Sequence, residues 1–563
     1  MMPRSDRLRL RRLLRPRLDA PLPNWTIFPV IFVALYVSHF SLLRIPYYWD
    51  EAGYYIPAAW DFFRTGSLIP TTTLNNAHPP LPSIYLALWW KLSGFSPEMT
   101  REAVLMVASL GLLAVWRLAI RLTGVASVAF WTVVLTGIYP IWFAQSSLAH
   151  ADIFAAACTL WGLVYTLPER DRRPGIAALW FAAAALSKET AIVIPLALAA
   201  VSFVESFRTR GTARARLWCE AAWLSACVLP LIGWYVWHYA KTGYFFGTPD
   251  YLRYNAVATL SPVRILAAFG HRVLDLTAHM NLFVPVLMAF AALLLPPLPD
   301  AEGHDRATVA FPVRRRIFVL LLVNAVLFSV LGGALLNRYL LPMYPLVLLL
   351  AVSIFYRRVP YWHGLAIFSA TAFLVGLFVN PPYGFAPEDN LAYAHVVRMH
   401  LAGIAQLNKR YPDATVLTAW PMTDELTRPE LGYLKQPFDV CAIDDFTAAQ
   451  IARAAAEPEK YSVALVFSTK YDPPAGLFSL GAKSEALDER YFGLHHDLPP
   501  QVIAQRLGGT LVWQSDDDGM WIALIRFNRQ FETRLQPGGH DLLPAVRQRY
   551  IQFASEYIHR AQR

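Results

Sequence analysis

An aspartate and a glutamate stand side by side at Asp50-Glu51, in a run that also holds Tyr47, Tyr48, Trp49, Tyr54 and Tyr55. The run follows directly on an apolar stretch, 27–43. A carboxylate beside a bound hydroxyl can take its proton, and an ionisable pair at the edge of an apolar segment is costly enough to mark a function. Ionisable residues recur at the ends of other apolar runs: Asp152 after His150, Lys188 in Ser187-Lys188-Glu189-Thr190, Arg338 before Tyr339, and His78 in His78-Pro79-Pro80. Together they offer carboxylates for general-base work and cations for an anionic leaving group. Each also has a plainer reading. His78 would cap the helix that follows, Lys188 would snorkel, Arg338-Tyr339 would anchor a span, and Asp152 would favour a helix N-terminus.

The elements that must position these residues are set by composition. Of 563 residues 56% are hydrophobic and only 16% charged, and mean hydropathy is +0.35. Soluble domains carry about 25% charged residues, so the composition is that of an integral membrane protein. The net charge of +10 does not point to nucleic acid, because the arginines fall in short clusters between apolar runs. The four cysteines have neither a disulfide framework nor zinc spacing. About eleven segments meet the span criterion. They lie near 25–43, 102–122, 127–143, 153–167, 176–186, 191–207, 217–239, 281–295, 317–336, 340–355 and 363–379. With the arginine-rich residues 1–24 inside, every second connection is basic, from Arg117 and Arg121 through Arg170 to Arg173, Arg208 to Arg216 and Arg314 to Arg316, ending at Arg357-Arg358. The expectation is a polytopic α-helical membrane protein, N-terminus in and C-terminus out. Its candidate site residues then share the outer side, and Arg253, Arg264 and Arg272 form a surface facing lipid headgroups.

Three regions follow: a basic cytoplasmic tail over 1–24, a membrane domain over 25–380 with a large first outer loop at 44–100, and a soluble outer domain over 381–563. The boundary is the breaker cluster Asn380-Pro381-Pro382-Tyr383-Gly384. Beyond it, helices are expected at 391–407 and 447–456, and strands at 414–419, 462–467, 510–513 and 521–527, which makes an α/β domain. Asp516-Asp517-Asp518-Gly519 reads as a strand-joining turn rather than a calcium loop, since the terminal glutamate is missing.

Five motifs in order, Asp50-Glu51, His78-Pro79-Pro80-Leu81, Asp152, Ser187-Lys188-Glu189-Thr190 and Arg338-Tyr339-Leu340-Leu341-Pro342, resemble those of GT-C type membrane glycosyltransferases. The likeness is to bacterial relatives of protein O-mannosyltransferases and of the lipid A aminoarabinose transferase. It implies an inverting transfer from a polyprenyl-phosphate sugar to a glycan, lipid or protein acceptor of the cell envelope, outside the bacterial cytoplasmic membrane. Asp50 would be the catalytic carboxylate, with Glu51 and Asp152 as acidic companions. Lys188, Arg338, Tyr339, Tyr54 and His78 would lie near the phosphate. The resemblance implies no particular cofactor and leaves room for a divalent cation, which would sit near Glu51, His78 and Asp152. Gly53 and His78 depart from the aminoarabinose subgroup, which tends to have arginine and lysine there, so that subgroup's donor and acceptor are not carried over. The outer domain is expected to guide the acceptor while donor binding stays with the spans. A transporter of a lipid-linked or small anionic substrate is the alternative, but its ionisable residues would lie near the midplane rather than at span ends. A sensor would need far fewer spans.

Overall fold

The computed structural model describes residues 24–247, 261–331, 335–473, 489–492 and 495–527. The basic tail expected over 1–24, but for its last residue, lies outside the described residues, as do Arg253 and the chain beyond 527. Each of the eleven apolar segments is helical over most of its length. Local signals set the boundaries. Pro97–Thr123 starts at Ser96, whose hydroxyl accepts from the Met99 N–H at 3.2 Å, and stops at Gly124, which takes the left-handed conformation (φ 70°). Pro140 divides one expected span into Ala126–Ile138 and Pro140–Gln145.

Among the described residues, Pro97–Thr123, Glu189–Ser206 and Gly211–Thr242 are each long and apolar enough to cross a bilayer alone. Pro262–Asn281 and Phe283–Leu293 would do so as a pair bent by 99°. Phe311–Val330 has twenty residues but carries three arginines in its first two turns. Other apolar helices, such as Ala151–Thr166 and Pro174–Ser187, are shorter. These two pack closely because small residues face each other: a Cβ on Gly162 would meet the Phe181 ring at 2.5 Å.

The helices are chemically polar along their length. At one end, Arg121 donates to the carbonyls of Val164 (2.7 Å) and Asp171 (3.0 Å). There Arg172 and Arg316 both pair with Glu220 at 3.0 Å, and Arg315 and Arg316 pair with Glu205. The candidate site residues occupy the opposite ends of the same helices. Ala151–Thr166 begins beside Asp152 and runs to the Arg170 loop; Pro174–Ser187 runs from Arg173 back to Lys188.

The first outer loop is ordered by Asp61, whose Oδ2 accepts from the backbone N–H groups of Thr71 (2.6 Å) and Thr72 (2.9 Å). Beyond the last apolar helix, His363–Phe378, a five-stranded sheet has the order β2-β1-β3-β5-β4. The strands are β1 (Thr415–Ala419), β2 (Asp439–Ile443), β3 (Val463–Phe467), β4 (Thr510–Asp517) and β5 (Met520–Arg526). The first three are parallel, and β5 is antiparallel to β3 and β4. Ala392–Arg410 packs on the sheet, where a Cβ on Gly403 would meet Ile522 at 2.6 Å. The β4–β5 connection is a two-residue turn with Asp518 (φ 45°) and Gly519 (φ 82°) both left-handed. Sequence reasoning missed β2, a five-residue edge strand that is half-exposed and carries no alternating apolar pattern.

Candidate active site

Asp50 is presented by an irregular stretch of backbone. Trp49, just before it, has φ 45°, an unfavourable conformation for a bulky side chain, and Glu51–Tyr55 winds as a π-helical turn before a regular helix starts at Ile56. Such turns and strained residues gather at functional sites because the surrounding packing must hold them. Ala77, just before His78, is also left-handed (φ 55°). The π-helical turn is anchored to the first outer loop by the Thr73 hydroxyl, which donates to the Gly53 carbonyl at 2.6 Å.

Arg338 is the centre of the site. Its guanidinium pairs with Asp50 through Nη2, with Glu388 through Nη1 at 2.5 Å, and with Asp152 through Nε at 3.3 Å. Asp152 also pairs with Lys188, Oδ1 to Nζ, at 2.5 Å. The Lys188 ammonium lies 3.8 Å from the centre of the Tyr339 ring, which itself stacks on Phe328. Four of the expected residues are thus in one connected group, with Tyr339 as its apolar floor. Arg338, Asp152 and Lys188 are buried, and Asp50 is half-buried.

Tyr54 and His78 line a small adjoining pocket with Tyr55, Pro79, Ala151, Ser187 and Trp234. Ala151 and Ser187 are the chain neighbours of Asp152 and Lys188, so the cavity abuts the charged group. His78 Nδ1 lies 3.1 Å from Glu189 Oε2, and its ring stacks on Tyr55.

Glu51 points away from this group. It is fully buried, with Oε1 2.5 Å from Arg101 Nη1 and accepting from the Ala149 N–H at 2.6 Å, while Oε2 accepts from the Tyr48 N–H at 2.9 Å. Arg101, equally buried, also donates to the carbonyls of Ser147 and Pro46. Glu51, His78 and Asp152 therefore have three separate partners, Arg101, Glu189 and Lys188. Among the described residues no three His, Cys, Asp or Glu side chains are grouped as a metal ion would need. Arg264 and Arg272, expected on a headgroup-facing surface, are instead buried: Arg264 donates to the carbonyls of Tyr491 (3.2 Å) and Ser329 (3.3 Å), and Arg272 pairs with Asp275 at 3.1 Å.

Two contributors were not anticipated as site residues. His150 is buried beside Arg338, Nδ1 to Nη1 3.3 Å, and its basicity is pushed well below the usual range, first by burial and then by Arg338, Lys188 and Arg101. Glu388 comes from a short 3-10 turn, Pro387–Asp389, at the entrance to the outer domain. Burial pushes its carboxyl up to about 8; Asp50, Asp389 and Asp152 act in the same direction and Arg338 opposes them. Burial also lowers the Lys188 ammonium, with Asp152 opposing. Glu388 stands beyond the proline cluster in a stretch with no periodicity, so nothing in the sequence ties it to the membrane domain. Arg101 had a signal: a basic residue at the end of an apolar segment opposite the arginine clusters, where basic residues are scarce.

The sequence profile of the family described as dolichyl-phosphate-mannose-protein mannosyltransferase matches residues 77–237, which include His78, Asp152 and Lys188. The fold is similar to that of ArnT, a GT-C glycosyltransferase, from Cupriavidus metallidurans. Against the structure bound to undecaprenyl phosphate the TM-score is 0.50 at 16% identity, covering 88% of this chain and 97% of that one. Against the apo structure the TM-score is 0.52 at 15% identity, covering 89% and 98%. No curated protein matches by sequence. These findings agree with the resemblance read from the motifs: residues 77–237 match the mannosyltransferase profile, and the fold, with its small C-terminal sheet domain, is similar to that of ArnT.

Proposed function

We propose that the chain is an inverting glycosyltransferase that moves a sugar from a polyprenyl-phosphate donor to a hydroxyl of a cell-envelope acceptor, at the outer face of the cytoplasmic membrane. The observation that carries this reading is Arg338, which pairs with Asp50 and, through Asp152, is linked to Lys188, next in the chain to Ser187 of the pocket wall. That supports a site in which one base works beside two phosphate-seeking cations. The ArnT structure bound to undecaprenyl phosphate supports a polyprenyl-phosphate donor, since the two folds are alike along most of their length. The arginine network at the other end of the helices supports the outer placement, because basic loops stay inside.

The chemistry then runs as one displacement. The donor phosphate draws Arg338 and Lys188, which frees Asp50 from its ion pair. Asp50 takes the proton of the acceptor hydroxyl as that oxygen attacks the anomeric carbon. The bond from that carbon to the phosphate oxygen breaks, and the negative charge of the departing lipid phosphate falls on Arg338 and Lys188. Attack opposite the leaving group inverts the anomeric centre. Asp152 orients Lys188, and Glu51 holds the turn that presents Asp50. Tyr339, Tyr54 and His78 shape the phosphate and sugar side of the cavity. Two cations already face the leaving group, so this scheme assigns no step to a divalent ion.

The test is Asp50→Asn. Loss of a general base costs about 10²–10⁴-fold in rate. The variant should still bind undecaprenyl phosphate and fold as the wild type does, yet transfer at least a hundredfold more slowly. Retention of a tenth of wild-type turnover would remove Asp50 from this role.

A further inference from the structure

Three carboxylates contact Arg338, and among the described residues the one further cation paired with them is Lys188. With all of these ionised the site is net negative, which opposes an incoming phosphate. One carboxylate must be neutral when the donor binds, and the three are not alike. Asp152 also has a buried oxygen, Oδ2, without a hydrogen-bond partner, but it has Lys188 at 2.5 Å as a cation of its own. Asp50 is half-buried and the most exposed of the three. Glu388 is buried, shares Arg338 with two competitors, and its Oε1 is shut off from solvent with no hydrogen-bond partner. An ionised carboxylate with one oxygen unsatisfied in such a place is costly, whereas a carboxylic acid is not.

We propose that Glu388 is a proton-linked competitor for Arg338, so that the anionic donor binds only when Glu388 carries a proton. This rests on the reading of Arg338 as a ligand of the donor phosphate. Ionised Glu388 holds Arg338 in place and adds a like charge against the phosphate. Protonated Glu388 lets the guanidinium swing to the phosphate, and the phosphate's charge then keeps the proton on Glu388. The charged and titratable groups that face the carboxyl set this balance: Arg338 from the turn Asn337–Leu340, Asp50 and Tyr48 from the segment ahead of the π-helical turn, and His150 and Asp152 at the start of Ala151–Thr166. Pro140–Gln145 adds only the neutral Gln145, which donates to the Glu388 carbonyl. Asp389 contributes from Glu388's own turn. Burial places the free group's midpoint at about 8, and a bound phosphate moves it higher. Affinity should therefore be level below that pH and fall above it, by up to tenfold per pH unit for a single linked proton. Lipid phosphate itself titrates near pH 6, outside this range. Glu388 is accordingly a positioning residue that acts through Arg338.

The experiment measures binding of undecaprenyl phosphate to the full-length protein in nanodiscs, from about pH 6.5 to about pH 9.5. The wild type should lose affinity above about pH 8, and Glu388→Gln should bind evenly across the range. Calorimetry of the wild type near pH 9, in two buffers of different ionisation heat, should register close to one proton taken up on binding, which tests the linkage without any variant. A flat wild-type profile, no proton uptake, or an unchanged slope in Glu388→Gln, which would point to Lys188 instead, overturns the proposal. If Arg338→Gln binds the lipid as well as the wild type does, the reading beneath it falls as well; pH-independent binding that still needs Arg338 sinks only the proton linkage.

Discussion

Asp50 and Glu51 are neighbours in the chain and part company in space. The π-helical turn begins between them, so Asp50 reaches Arg338 while Glu51 turns into the interior toward Arg101. Sequence alone marks the pair as costly and leaves open which acid faces the cavity, because that depends on a local winding no propensity scale describes. The partners differ in consequence as well. The Glu51–Arg101 pair is fully buried and tied to the backbone at Tyr48, Ala149, Ser147 and Pro46, so it fixes the turn from below. Removing one member of such a pair leaves an uncompensated buried charge and costs about 3–5 kcal/mol. Arg101→Met should therefore lower the thermal midpoint of the purified protein markedly, and Glu51→Gln added to it should recover most of the loss. If Arg101→Met melts with the wild type, Glu51 is not held in the way described.

The same dependence on local geometry shows in the elements. Gly53, which stood out in the sequence as a departure from the aminoarabinose subgroup, has a structural reason to be small. A Cβ there would come within 2.8 Å of the Trp420 ring, which also packs edge-on against Trp49 at 5.1 Å. Trp420 directly follows β1, so the outer domain rests on the turn that carries Asp50. Gly53→Val should push the ring and the turn apart without touching any charged group. Misplacement by about 1 Å can cost about 10²-fold in rate, so transfer should fall by one to two orders of magnitude with little change in lipid affinity. Combining it with Trp420→Ala should restore part of the rate by making room. Full activity in Gly53→Val would show that the contact positions nothing.

At the scale of the whole molecule, much was legible in the sequence because bilayer solvation leaves a strong signal: apolar length, arginine clusters and interfacial aromatics. The helices and the shared end of Asp50, Asp152, Lys188 and Arg338 follow from it, while the sheet domain was read from short apolar strand patterns beyond the breaker cluster. What stayed hidden depends on contacts between distant segments. Glu388 reaches Arg338, Tyr393 bonds Ser147 at 2.8 Å, and Tyr433 donates to the Tyr47 carbonyl at 3.0 Å. The outer domain is thus joined to the charged group itself, whereas the sequence suggested a domain that guides the acceptor alone. The remaining whole-molecule property is sidedness. Ala151–Thr166 separates the charged group from the arginine network by its own length, about 24 Å for sixteen residues, so the two ends cannot share one aqueous compartment if this helix crosses the bilayer. Leu74, exposed on the first outer loop, and Arg173, exposed beside the arginine network, are suitable reporters. With the native cysteines replaced by serine, Leu74→Cys should react with a membrane-impermeant thiol reagent in intact cells, and Arg173→Cys only after permeabilisation. Labelling of both from outside would mean that this helix does not cross, and the outer-face site would lose its topological support. Labelling of Arg173→Cys alone from outside would turn the whole protein over and place the same site toward the cytoplasm.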